Sequence, residues 1–304
     1  GIKSFQGRAL AAQSSSSVYF PPAKPQLRFV DQGVILPASE QLSVPFEAVN
    51  VTAVQVTAFR VYEHNIGQFL QVNNLAGSSE LARVGRYLWS KRVVLGDTKA
   101  DQWQRFAVDL SQLFAEHPGA LIRLSLNVSR SDVRYDCGDA ATPVPPQVEP
   151  LSSNGPDESG SSGWDGIESW YYSDSNERND PCHDSYYQSH SNSRASNNFI
   201  AANIGLIAKN GSDQRWHFAT TDIRNGTLLA GAKVRLFNFQ GEEIASVSSD
   251  NQGLASLTLA TPPFYALAEK GKDRGYLKLS EGLALPTSHF DVGGERIKQG
   301  VKGL

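Results

Sequence analysis

The 304-residue chain contains no methionine, not even at residue 1, and only two cysteines. A chain without an initiating methionine is expected to be a fragment of something longer. Two cysteines are too few for a disulfide-dense mini-protein, and they lack the paired spacing of a structural zinc site. Apolar runs are short: none approaches the roughly 18 residues of a membrane-spanning helix, and the opening GIKSFQGRAL has no charged-then-apolar leader. Membrane association is therefore expected only through an anchor outside these residues. Excess positive charge is missing as well. With 28 Lys and Arg against 31 Asp and Glu, the net charge of −3 argues against general nucleic-acid binding. Long helical periodicity is also absent, which excludes a helical bundle.

What is present reads as strand. The composition, 40% hydrophobic and 19% charged, is that of a soluble globular protein long enough for two domains. From about Gln26 short apolar-polar alternations follow one another, as in LSVPFEAVNVTAVQVTAFRVYE and RYLWSKRVVL. LIRLSLNV is the cleanest of them, with Ile122, Leu124, Leu126 and Val128 on one face and Arg123, Ser125 and Asn127 on the other. That pattern predicts a half-buried antiparallel strand. Ser111 to Glu116 predicts about a turn of helix, stopped by His117, Pro118 and Gly119. A second series starts near Asn203, with seven short strand-like segments separated by Asn225-Gly226, Gln240-Gly241, Asn251-Gln252-Gly253 and Pro262-Pro263. The fold class read from this is all-β, with consecutive antiparallel β-sandwich domains of immunoglobulin or fibronectin type.

The stretch between the two series differs. Residues 139–198 hold ten acidic side chains against Arg178 and Arg194, a charge of −8 that leaves the remainder of the chain at +5. The predicted organisation is residues 1–23 as the end of a preceding domain or linker, 24–138 as a first sandwich and 139–198 as an acidic Ser/Tyr-rich insertion, partly disordered. A second sandwich over 199–287 and a run into a further domain over 288–304 complete it. Within the insertion, Trp170, Tyr171, Tyr172, Tyr186 and Tyr187 are candidate packing or partner-contact aromatics, because rings at that density need something to pack on.

RNDPCHDSYY, residues 178–187, sets Cys182 beside His183 and between Asp180 and Asp184. A thiol nucleophile with His183 or His190 as base is disfavoured, since neighbours in an extended chain point apart and no oxyanion-forming motif accompanies them. A metal held by Cys182, His183 and Asp184 lacks a second ligand cluster. A calcium site in DSNERND lacks the glycine and closing glutamate of an EF-hand loop. The preferred reading is a disulfide between Cys137 and Cys182, with two free thiols as the open alternative. No catalytic, cofactor-binding or metal site is assigned. Asn-X-Ser/Thr triplets at Asn50, Asn127, Asn210 and Asn225 are given no role, and His64, His117 and His217 read as structural.

Three segments together resemble the bacterial alpha-2-macroglobulin-like proteins: FRVYEHNIGQFLQVNNL (59–75) followed by YLWSKRVVLG, then ERNDPCHDSYY, then TDIRNGTLLAGAKVRLFNFQGEEIASVSSDNQGLASL. The resemblance covers most of the chain from Gln26 onward. It implies macroglobulin-like sandwiches in tandem, no enzymatic activity and no cofactor. It further implies a periplasmic location with or without a membrane anchor, proteases as targets of the full-length protein and a part in bacterial defence, with other periplasmic proteins as candidate partners. Members that capture proteases covalently carry a Cys-X-Glu-Gln thioester motif. Cys137 is followed by Gly-Asp-Ala and Cys182 by His-Asp-Ser, so a thioester is not expected within these residues, and the acidic, aromatic-rich insertion with PCHDSYY resembles the branch without one. The alternative reading is a cell-surface array of immunoglobulin-like adhesion domains without trapping activity.

Overall fold

The computed structural model describes residues 3–9, 15–38, 42–138, 177–189, 191–211 and 213–279. The first half runs β1 (Gln26–Phe29), β2 (Ile35–Leu36), β3 (Ser43–Val49), β4 (Ala53–Val61), α1 (Ile66–Val72), α2 (Leu81–Val84), β5 (Gly85–Val94), β6 (Gln104–Asp109), α3 (Ser111–Glu116) and β7 (Leu121–Asn127). It is completed by α4 (Asp184–Ser189) and β8 (Arg194–Ala201). Two sheets face each other, ordered β1-β3-β6 and β2-β8-β7-β4-β5. All the pairings are antiparallel except the short β2–β8 contact.

Alternation builds this sandwich. In β3, Val44, Phe46 and Ala48 point inward, and across the layer Val56 and Ala58 of β4 and Ile122, Leu124 and Leu126 of β7 meet them in one buried cluster. Strand β7 departs from the sequence expectation. Arg123 and Ser125 are buried along with the apolar face. The strand lies between β4 and β8 in the middle of its sheet, and the loop after α1 covers part of its outer face.

Composition also misplaced a boundary. Residues 194–198, assigned to the acidic insertion, and residues 199–201, assigned to the second sandwich, form β8, which pairs with β7 from Ile122↔Phe199 to Asn127↔Arg194. The reason is local: Ala195, Phe199 and Ala201 supply apolar contacts to the first core, whereas the negative charge that marked the segment lies upstream.

The second half runs β9 (Ile204–Asn210), β10 (Arg215–Asp222), β11 (Lys233–Phe237), β12 (Glu243–Ser248), β13 (Leu254–Thr258), β14 (Tyr265–Lys270) and β15 (Asp273–Lys278). These seven strands match the seven segments read from the sequence. They form sheets ordered β13-β10-β9 and β12-β11-β14-β15 around Trp216, Phe218, Val234, Leu236, Ala266 and Ala268. Turn glycines sit where the chain needs a positive φ: Gly226 at +72° and Gly253 at +67°. Gly253 is also crowded, since an added Cβ would lie 2.7 Å from the Thr220 carbonyl oxygen.

The fold is all-β, with two sandwiches in tandem. Leu124→Ala, which removes a fully buried side chain at the centre of the five-stranded sheet, is expected to lower stability by about 3 kcal/mol. Urea unfolding checks this: the midpoint should fall while the slope stays unchanged.

Candidate functional site

Two features stand out from ordinary sandwich packing, a staple on the first sandwich and an apolar seam between the two. The staple is the Cys137–Cys182 disulfide, with a Cα separation of 5.5 Å across 45 residues of sequence. Just after it RNDPCHDSYY is helical rather than extended, because α4 begins at Asp184. This turn drives both tyrosines inward. Tyr186 is 0% exposed and donates from its hydroxyl to the Pro25 carbonyl oxygen at 2.8 Å. Tyr187 is buried beside it and donates to the Pro181 carbonyl oxygen at 2.7 Å. Lys24 Nζ reaches the Asn179 carbonyl oxygen, so the start of β1 and the stapled segment hold each other.

Burial raises the pKa of both phenols, Tyr186 to about 12 and Tyr187 further still. Both rings are buried in the first sandwich. Trp170, Tyr171 and Tyr172 lie outside the described residues, as does His190. His183 turns its Nδ1 to Glu177 at 2.8 Å and its Nε2 toward Asp180 at 3.7 Å. With both cysteines bonded to each other, neither can act as a thiolate or form a thioester. Among the described residues, no group of three or more His, Cys, Asp and Glu could hold a metal ion, and no helix is long and apolar enough to cross a membrane.

The seam is a third apolar cluster. From the first sandwich it takes Val61, Ile66, Phe69, Leu70, Leu81, Val84 and Leu121, and from the second Phe237, Tyr265, Leu267 and Tyr276. Helix α1 is its floor, with Ile66, Phe69 and Leu70 buried at helical spacing. Tyr265 lies against α1 at Gly67, where an added Cβ would be 2.9 Å from the phenol oxygen, and stacks on Phe237 with ring centroids 4.6 Å apart.

Polar contacts close the rim. The Tyr276 hydroxyl donates to the Gly119 carbonyl oxygen at 3.0 Å, Lys278 Nζ to that of Asn73 at 2.7 Å, and Gln71 Nε2 to that of Phe239 at 2.7 Å. The connection between the sandwiches is two residues, Ala202 and Asn203. Asn203 donates its backbone N–H to the Asp273 carboxylate, accepts from the Ala38 N–H on its side-chain oxygen and accepts from the Ile223 N–H on its carbonyl. Burial raises the Tyr276 pKa to about 12 and pushes that of Tyr265 up. Period-2 reading missed the seam because half of it is helical. Its signal was the 59–75 segment, which carries α1 and part of the family resemblance.

Sandwiches in tandem, joined by a two-residue connection and a shared apolar cluster, define a multi-sandwich protein. Two family models match the sequence: the bacterial alpha-2 macroglobulin MG2 domain over residues 28–118 and the bacterial alpha-2-macroglobulin MG3 domain over residues 201–297. Together they cover more than half of the chain. The structure is similar to a crystal structure of native alpha-2-macroglobulin from Escherichia coli spanning domains NIE-MG1, at 19% identity and a TM-score of 0.50, covering 84% of this chain and 97% of that one. It is also similar to one spanning domains MG0-NIE-MG1, at 17% identity and a TM-score of 0.51, covering 91% and 71%. Against the cryo-EM reconstruction of the native E. coli protein the identity is 19% and the TM-score 0.51, and the match spans only 14% of that protein's length. No curated protein matches the sequence. The chain belongs to the bacterial alpha-2-macroglobulin family. Strands β7 and β8 and the staple fall wholly or almost wholly between the two matched stretches.

Two outcomes are expected from this geometry. Replacing Cys137 and Cys182 together by serine lowers stability by up to about 4 kcal/mol through loop-closure entropy, read as a lower urea midpoint. Raising the pH tests the buried tyrosines. Their folded pKa values lie above the unfolded value near 10, so their contribution is intact below pH ~10 and is lost as pH rises toward about 12. Tyrosinate absorbance and near-UV circular dichroism should therefore change together over that interval, and Tyr276→Phe should reduce the alkaline loss.

Proposed function

We propose that this chain is a non-enzymatic scaffold of a bacterial, periplasmic, protease-trapping alpha-2-macroglobulin-like protein. The observation that carries the reading is the seam. A molecule that encloses a protease by rearranging its domains needs units that move as wholes, and a buried cluster with a two-residue connection makes these two sandwiches one such unit. Family membership supplies the trapping context. The disulfide supports an oxidising compartment such as the periplasm. Both cysteines are spent in the bridge and His183 is turned to carboxylates, which speaks against a thiol–imidazole pair in RNDPCHDSYY. The domain boundaries we propose are a first sandwich over 24–138 with 194–201, and a second from 204.

In this reading the protease contacts are made by the longer protein and this piece holds part of its frame; any covalent thioester capture would have to come from elsewhere in that protein. The test uses a protease with two substrates, a short chromogenic peptide and a large protein. The longer protein that contains this chain should abolish cleavage of the protein while sparing the peptide, because an enclosed protease still admits small molecules. The 304-residue chain alone should change neither rate. Block of peptide cleavage by the isolated chain would mean direct active-site inhibition and would overturn the scaffold reading. Unhindered digestion of the protein substrate in the presence of the longer protein would overturn trapping.

A further inference from the structure

The outer face of the five-stranded sheet carries a buried cation that has no counter-charge among the described residues. Strand pairing puts Arg123 of β7 between Phe59 of β4 and Asn198 of β8, with Tyr87 of β5 beyond Phe59. Arg123 is only 9% exposed and Asn198 is 0% exposed. One guanidinium nitrogen, Nη1, donates to Asn198 Oδ1 at 2.9 Å. Nε is buried and has no acceptor among the described residues. The Tyr87 hydroxyl, on the same row, is buried as well and makes no hydrogen bond of good geometry among the described residues.

Asn198 cannot supply the missing acceptor. Its side-chain oxygen already serves Arg123, and its amide nitrogen donates to the Leu75 and Gly77 carbonyl oxygens at 2.8 and 2.7 Å. The next row down is also spent: Ser125 pairs with Ser196 at 2.9 Å and Thr57 with Ser90 at 2.7 Å. These are neutral hydroxyls in any case. Among the described residues, no carboxylate forms an ion pair with Arg123, although Arg28, Arg60, Arg83, Arg92, Arg224, Arg235 and Arg274 each have one. Burial alone therefore pulls its pKa down, with nothing acidic to offset it.

An arginine buried to this extent is normally paired, because its desolvation is otherwise uncompensated. What is missing is an anion with acceptor lone pairs in a plane, and a carboxylate matches the guanidinium fork in both charge and shape. We propose that Arg123, set by Asn198, is a binding site for the carboxylate of an aspartate or glutamate side chain, delivered to the outer face of the sheet just below the seam. Such a side chain has two sources. One is the stretch 139–176 of this chain, which contains seven carboxylates and no Lys, Arg or His; the other is a separate acidic polypeptide. The site is independent of protease trapping and stands or falls without it.

The test follows the Arg123 Nε–H resonance in 15N-arginine-labelled full-length chain, assigned by its disappearance in Arg123→Lys. Glutarate is titrated in as the carboxylate probe, against sodium chloride at matched ionic strength. The same titration is run on a second protein in which the seven carboxylates between residues 139 and 176 are neutralised by Asp→Asn and Glu→Gln. A saturable, glutarate-specific shift in both proteins establishes an open site awaiting an external carboxylate. A shift only in the neutralised protein establishes the site as one filled by the chain's own acidic stretch. A resonance that follows ionic strength alone in both proteins overturns the proposal. Circular dichroism of the neutralised protein checks that it is folded, and the unsubstituted chain keeps the external-source arm readable in any event.

Discussion

The contact between Tyr265 and helix α1 is the constraint around which the two halves are arranged. Gly67 is the position on α1 that admits the phenol ring, since any side chain there would meet it at about 3 Å. Around that contact Phe237, Leu267 and Tyr276 close over Ile66, Phe69 and Leu70. Two sandwiches joined only by a chain would pivot freely, because interfaces between domains of one chain are commonly small and polar. Here the connection is too short to let them part and the interface is apolar at its centre. The hydrogen bonds at the rim, from Tyr276, Lys278 and Gln71 to backbone carbonyls, add direction to an attraction that has none of its own.

The first sandwich depends on a second long-range arrangement. Its five-stranded sheet uses β8, which follows the acidic stretch in sequence but lies between β2 and β7 in space. The sheet is therefore completed by a strand that lies far downstream of β7 in sequence and pairs with it in register. The disulfide and the two buried tyrosines of α4 fix the place of return, and Tyr186 does so by reaching Pro25 at the beginning of β1. The parts of the chain nearest the insertion are thus among the most tightly held.

Much of this was legible in the sequence. The seven strands of the second sandwich are marked by period-2 alternation and by Gly-containing turns, both properties of local geometry. The Cys137–Cys182 pair was the preferred reading of the two cysteines, with free thiols as the alternative. Three things were not legible, each for a physical reason. Strand β8 was hidden because composition averages over a window and the acidic residues upstream dominated it. The burial of Arg123 was hidden because alternation assigns polar residues to solvent, whereas a central strand has neighbours on both sides and a loop above it. The seam was hidden because a short helix packing onto another domain produces no repeat long enough to register. Tyr186 and Tyr187, read as packing or contact rings, are buried because α4 turns them inward.

The 45-residue separation spanned by the disulfide also has a topological consequence. Residues 138–181 form a covalent ring with their two anchor points. Scission of any one peptide bond inside that ring opens it without dividing the polypeptide, since both new ends stay attached to the same sandwich through sulfur. The molecule can thus carry a nick in its most acidic region as a change of connectivity rather than of mass. Under denaturing conditions only a reductant would separate the pieces as two chains, one ending and the other beginning between Cys137 and Cys182.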